Sequence, residues 1–319
     1  MQLSPSFDPS LLVYFDNDFC PLGQANVNFL THALHYGTGV FEGIRGYWNV
    51  EDKELYLFRA REHYERWRAN ARLLKMDIPL SAGELCDVTA ELIRRNQFQG
   101  DVYIRPLAFK SRQGIGVHIG PECTIAIAAL PFGGYIDSSR GLRVAVSSWR
   151  RVDDNAIPAR GKICGAYVNS ALAGDEARAN GFDEAIFLTE RGHVCEGAAS
   201  NIFLVRKGRL ITPPVYDNIL EGITRATVID LATDMWVETD ERPVDRSELY
   251  VADEVFFAGT AFEIAPVVEV DRHPVGDGQI GRLTRRLQEA FSSLARGITA
   301  RGAHWRMPSY RMAEVPTAH

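Results

Sequence analysis

The chemistry in this chain is concentrated between Arg160 and Pro214, where a lysine in a Gly/Ala-rich setting, Lys162, is followed at some distance by an isolated glutamate, Glu196. A lysine amine can condense with an aldehyde, and a carboxylate can hold a pyridine nitrogen protonated. Those are the two demands of pyridoxal 5′-phosphate, which needs an anchor for its aldehyde and a counter-charge that makes its ring an electron sink. Taken singly, a lysine is ordinarily a solvated surface group and a strand glutamate ordinarily faces water. The elements around the two residues are what lift them above that reading.

Those elements alternate between helix and strand. Ser170 to Ala179 has the Ala/Leu/Glu/Arg content of a helix, and Asn180-Gly181 supplies its stop. Glu184 to Thr189 alternates as a strand, Glu190-Arg191-Gly192 turns it, and His193 to Glu196 returns. Ser200 to Val205, the Lys207-Gly208 turn and Arg209 to Thr212 form a further hairpin. Lys162 and Glu196 therefore sit on separate elements able to project into one site.

Upstream, Leu11 to Tyr14 and Leu55 to Phe58 read as strands, the second leading directly into Arg59, which is singled out for an anion. A helix follows from Arg61 to about Met76, with Tyr64, Trp67, Ala71 and Leu74 on one stripe. Arg66, Arg68, Arg72 and Lys75 are read as its solvated face, offset by Glu62 and Glu65. A second helix covers Ala82 to Asn96, then two β runs, Asp101 to Lys110 and Thr124 to Leu130. Tyr103 and Arg105, two apart, share a strand face. Either this is simply a polar sheet face or a phenol and a guanidinium are aimed at a carboxylate. Between His35 and Tyr47, glycines lie beside the aromatic residues Tyr36 and Phe41. Neither Gly37, Gly39 and Gly43 nor Gly114, Gly116 and Gly120 keep the spacing of a dinucleotide-binding loop.

Pro131 to Tyr135 breaks the β pattern and is the best linker, so two domains are expected: 1–131 and 139–319, joined by a loop at 132–138. Leu142 to Trp149 opens the second. There, Gly222 and Thr224 precede a helix at Ala226 to Met235, which reads either as a phosphate cradle or as an ordinary capped helix start. Leu249 to Phe257 is strand-like, Ala258 to Ala261 is a small-residue turn able to present N–H groups, and Arg282 to Arg296 is an amphipathic helix stopped by Gly297. The tail beyond it, with Trp305, has no period; loose order and packing against a neighbouring element are both open.

The 319 residues suffice for two real cores, and 46% apolar with 24% charged residues is ordinary for a globular protein. A net charge of -6 carries no polyanion footprint, so nucleic acid is not an expected partner. Cys20, Cys86, Cys123, Cys164 and Cys195 are odd in number and form no CxxC pair, which fits reduced thiols in the cytoplasm. No basic leader followed by an apolar core opens the chain, and no apolar run reaches the ~18 residues of a membrane span. No metal is expected.

In this order, the blocks LHYGTGVFEGIRGY, LFRAREHYER, VYIRPL, KICGAYVNSALAGDEARANGFDEAIFL, CEGAASNIF, LEGITRATV and FFAGTAFEIAPV are very specific. From about Val13 to Gly297 the chain resembles the fold-type IV pyridoxal-phosphate enzymes, most of all the branched-chain amino acid aminotransferases. The resemblance implies an α/β (α+β) fold of two domains with the cofactor between them, and a homodimer. It makes Lys162 the Schiff-base lysine and proton shuttle, Glu196 the partner of the pyridine nitrogen, and Tyr167 the phenol that bonds the ring hydroxyl. Arg59, Gly222, Ile223, Thr224 and Thr260 would hold the phosphate, and Leu220 would pack on the ring. Tyr36, Phe41, Gly43, Tyr103, Arg105, Tyr135, Thr260 and Ala261 would form the substrate pocket. The implied reaction is ping-pong transamination of leucine, isoleucine or valine with 2-oxoglutarate. Two departures keep D-amino acid, (R)-amine and aminodeoxychorismate lyase activities as rivals: Gly197-Ala198-Ala199-Ser200-Asn201 after Glu196, and Phe262 after the Thr260-Ala261 pair. Phe262 narrows the pocket if its ring turns inward, and is only core if it turns outward. A non-catalytic protein of the same fold is disfavoured, because the lysine, glutamate and phosphate ligands are all present.

Overall fold

A computed structural model describes residues 8–133 and 140–311. The chain divides into two compact units, one of residues 1–133 with 295–319 and one of residues 134–294. Among the described residues no helix is long and apolar enough to cross a membrane.

The first unit is built on an antiparallel sheet. Its strands run in the order Arg306–Pro308, Glu54–Phe58, Ile44–Asn49, Val102–Lys110, Cys123–Pro131, Leu12–Phe15 and Asp18–Pro21, with Gly39–Phe41 also paired to Val102–Lys110. Helices Ala60–Leu73 and Ala82–Asn96 cover it. The second begins in a reciprocal capping box between Ser81 and Glu84, which satisfies two otherwise unpaired backbone donors. The first buries Tyr64, Trp67 and Ala71, as their spacing predicts, and Trp67 donates through its indole N–H to Val40 O at 3.0 Å.

Two expectations change here. Arg66 does not lie on a solvated face: its guanidinium reaches inward to the fully buried Glu42, 2.7 Å away. The tail joins the first unit, not the second to which its sequence position assigned it. Arg306–Pro308 pairs with Glu54–Phe58, and Trp305 sits edge-on to Phe58, so backbone hydrogen bonds and ring packing set its place.

The second unit is a mixed sheet in the order Val194–Gly197, Glu184–Leu188, Leu142–Arg150, Glu263–Val270, Glu254–Gly259, Asn201–Arg206, Arg209–Thr212 and Thr239–Glu241, with His273–Pro274 flanking Glu263–Val270. Leu142–Arg150 is parallel to both of its neighbours. A parallel return needs a crossover, and helix Tyr167–Ala179 is the one between Leu142–Arg150 and Glu184–Leu188. Helices Ile223–Asp234 and Arg282–Ala295 follow. Leu249 belongs to a short 3-10 turn, Arg246–Tyr250, and the strand expected there starts only at Glu254. Helix Ile223–Asp234 begins three residues earlier than its apolar pattern suggested, so Ile223 and Thr224 lie in its first turn and Gly222 is the N-cap.

Candidate active site

In the second unit Lys162 occupies irregular chain just before a 3-10 turn, Cys164–Ala166, that feeds helix Tyr167–Ala179. That turn folds the five-residue separation so that Lys162 Nζ donates to Tyr167 Oη at 2.7 Å. Glu196 comes from strand Val194–Gly197. Val194 pairs with Leu188 and Gly197 with Ile186, so three steps on one strand face two on the other. Such a bulge re-aims the side chain it carries.

The Glu196 carboxylate is 5% exposed and densely contacted. Oε1 is ion-paired with Arg151 at 2.8 Å, while Oε2 accepts from Leu220 N at 3.0 Å and Asn201 Nδ2 at 3.2 Å. Burial pushes the carboxyl up, and Arg151, the Leu220 N–H and Lys162 pull it back. Burial also opposes the charge on Arg151, but Glu196, Cys195 and Tyr167 outweigh it and hold the guanidinium protonated. A carboxylate offers about four acceptor positions; one on Oε1 is left for a further donor.

Leu220 adjoins the N-terminus of helix Ile223–Asp234, whose N-cap, Gly222, provides no side-chain cap. A helix N-terminus attracts anions through its backbone N–H groups and its dipole. Any side chain at Gly222 would be driven into Asn201, since a Cβ there falls 2.0 Å from Asn201 Oδ1. Thr260 and Ala261 form the turn between strands Glu254–Gly259 and Glu263–Val270. They are tied to Glu196 through the backbone: Gly197 N donates to Ser200 O at 2.7 Å, and Gly259 packs on Ser200. Among the described residues, Ser200 Oγ is buried without a hydrogen-bond partner. Phe262 is 4% exposed and packs edge-on to Phe257 in the core of this unit, the outward of its two readings.

The first unit holds the remaining candidates. Arg105 Nη2 donates to Tyr103 Oη at 3.2 Å, and the Arg105 guanidinium lies over the Phe41 ring at 4.7 Å. Gly43 completes this group, because a Cβ there would stand 2.0 Å from Tyr103 Oη. Tyr36 Oη accepts from Gly116 N at 2.9 Å. Arg59, left-handed at φ 50°, caps helix Ala60–Leu73, stacks on Trp305 at 4.5 Å and is chelated by Glu62. Tyr135 and most of the 132–138 loop lie outside the described residues. Sequence reasoning missed Arg151 and the bridging role of Asn201. Arg151 stands in an Arg-Arg pair at a strand end, and no local pattern says which of the two turns inward.

Fold and site together define a class of enzyme. The sequence matches the amino-transferase class IV family over residues 39–270, and the chain belongs to that family. It is 49% identical over 299 residues to a probable branched-chain-amino-acid aminotransferase of Aquifex aeolicus, across 93% of this chain and 96% of the relative. The branched-chain aminotransferase of Thermoproteus uzoniensis, solved with norvaline, superimposes with a TM-score of 0.91 at 44% identity, covering 94% of this chain and 100% of that one. The branched-chain amino acid aminotransferase of Thermobaculum terrenum, solved in its PLP-bound holo form, gives 0.90 at 37% identity over 95% of this chain and 99% of that one. The architecture is thus the fold-type IV one.

Proposed function

We propose that this protein is a pyridoxal-phosphate-dependent aminotransferase that moves the amino group of L-leucine, L-isoleucine or L-valine to 2-oxoglutarate. The observation that carries the reading is the pairing of Lys162 and Tyr167 at 2.7 Å on one element with a buried, donor-braced Glu196 on another. The residues fit the cofactor: an uncapped glycine-led helix start for its phosphate, an acceptor position on Glu196 Oε1 for its ring N–H, and an amine for its aldehyde. When bound, pyridoxal 5′-phosphate supplies an aldehyde that takes up amino groups and a ring that draws electron density from the neighbouring carbon.

The chain's own residues do the rest. Lys162 Nζ would anchor the aldehyde and, as a free amine, would serve as the base and acid that moves the substrate's α-proton. Glu196 would hold the ring nitrogen protonated, Tyr167 would bond the ring oxygen, Leu220 would pack on the ring, and Gly222, Ile223, Thr224, Thr260 and Arg59 would receive the phosphate. Phe41, Tyr36 and Tyr135 give the apolar wall for branched side chains. Arg105 and Tyr103, with Gly43 beside them, would take the carboxylate of glutamate, and Ala261 is assigned to the substrate as well. We place the connector between domains at 132–138.

We also propose a cytoplasmic homodimer. All five cysteines carry free thiols. Phe29, Leu34, Ile115 and Val117 are 61 to 77% exposed on two segments joined by Gly114 N to Leu30 O at 3.0 Å, and an exposed apolar patch of this kind favours a partner surface. Light scattering at twice the chain's 35.6 kDa is the expected result.

The test of function is a half-reaction panel of L-leucine, L-glutamate, D-alanine, L-phenylalanine and (R)-1-phenylethylamine, read by loss of the cofactor's yellow absorbance. L-Leucine and L-glutamate should be fastest. A faster response to D-alanine or the amine would sink the substrate assignment, and borohydride reduction that fails to fix the cofactor on Lys162 would sink the site.

A further inference from the structure

Arg151 follows directly on strand Leu142–Arg150 and turns into the protein, where 7% of it remains exposed. Its Nη2 stands 2.8 Å from Glu196 Oε1, its Nε donates to Asn218 O at 3.3 Å, and its Cζ lies 5.7 Å from the Phe187 ring centre. A guanidinium does not give up its proton inside a protein, so this is a fixed positive charge. It faces one oxygen of Glu196, while Leu220 N and Asn201 Nδ2 occupy the other.

We propose that Arg151 is a positioning residue that keeps Glu196 ionised and fixed, so that the pyridine nitrogen of the cofactor, and not the carboxyl group, holds the proton they share. The proposal rests on the reading that Glu196 faces that nitrogen. A carboxylate so deeply buried is disfavoured in its charged form, and the nearest opposing charge is Arg151. Without it, the N–H bond on the ring breaks and an O–H bond forms on Glu196. No other reactant is needed, and the ring loses the positive charge that draws electrons from the reacting carbon. Because Arg151 spends only Oε1's first acceptor position, it can charge the site without displacing the ring.

The test uses holoenzyme loaded with pyridine-15N cofactor, in wild type, Arg151→Met, Arg151→Lys and Glu196→Gln, with the nitrogen signal read by NMR beside the L-leucine half-reaction. The expected signal is protonated in wild type and Arg151→Lys, and moved toward the deprotonated position in Glu196→Gln and Arg151→Met. The half-reaction of Arg151→Met should slow on the order of 100-fold, as when one preorganised donor is lost. An unmoved signal in Arg151→Met beside a moved one in Glu196→Gln overturns the proposal and leaves the Glu196 reading intact. A signal displaced as far in Arg151→Lys as in Arg151→Met also overturns it, since charge would then not be the cause. An unmoved signal in Glu196→Gln removes the premise and the proposal with it. Should Arg151→Met not accumulate as holoenzyme, Arg151→Gln, which can still reach Asn218 O, is read in its place.

Discussion

Glu42 in the first unit and Glu196 in the second are both withdrawn from solvent, yet they are balanced in opposite ways. Glu42 is closed off: Arg66 binds both of its oxygens at 2.7 and 2.9 Å, His63 Nδ1 lies 2.9 Å from Oε2, and Gly43 N donates to it at 3.2 Å. Burial pushes its carboxyl up, but Arg66 and His63 pull harder and leave it well below the ordinary carboxylate range. Glu196 has a single arginine, and there burial wins. A buried carboxylate whose donors saturate it is a structural pin. One left short of a donor is poised for a ligand that brings its own.

The contrast is broken most severely at Glu42. Glu42→Gln leaves Arg66 and His63 facing a neutral group and should cost about 3–5 kcal/mol of folding stability, measured by denaturant unfolding of the holoprotein. It should leave the ring-nitrogen signal unchanged, and a moved signal would erase the distinction between the two carboxylates. Since the folded value of Glu42 is depressed, its stabilising effect is complete above the ordinary value of 4.5 and is lost as pH falls below it. Glu196, with a raised folded value, acts oppositely: protonation in acid relieves its burial.

Next in size, Glu196→Gln should lower kcat for both half-reactions by on the order of 100 to 1,000-fold, about 3–4 kcal/mol, because the ring cation it sustains accepts the negative charge that develops on carbon in the transition state. Equal losses for leucine and glutamate are expected, since the ring is common to both. Arg105→Ala should behave differently, costing glutamate about 1.5–3 kcal/mol in kcat/KM and leucine far less. Equal losses there would show that Arg105 packs on Phe41 without reading a carboxylate. The smallest effect is expected at Gly43, where alanine must displace Tyr103 Oη; about 1–3 kcal/mol of strain should appear partly as lost stability and partly as a raised KM.

Much of this was legible from residue order. Helix Ala82–Asn96 appears with the bounds its pattern gave, and in the structure Ser81 and Glu84 cap its start. The Tyr103–Arg105 contact follows from the two-residue period of a strand. For Arg66 the helical stripe says only that it stands off the core-facing line, and nothing local says that Glu42 waits beneath it. Helix Ile223–Asp234 starts before its apolar pattern for a related reason. Its first turn is preceded by Gly222 set close against Asn201, an approach between residues far apart along the chain and invisible to periodicity.

By itself, the sequence determined the elements, the family and the reactive groups, since helix and strand periods, turn glycines and a lone lysine are properties of neighbours along the chain. Tertiary structure alone decided which charges are satisfied. The bulge that turns Glu196, the inward swing of Arg151 and the closure of Arg66 on Glu42 each join residues 21 or more positions apart along the chain or turn on the pairing of two strands. Burial and charge pairing depend on what lies nearby in space, and only the folded chain sets that.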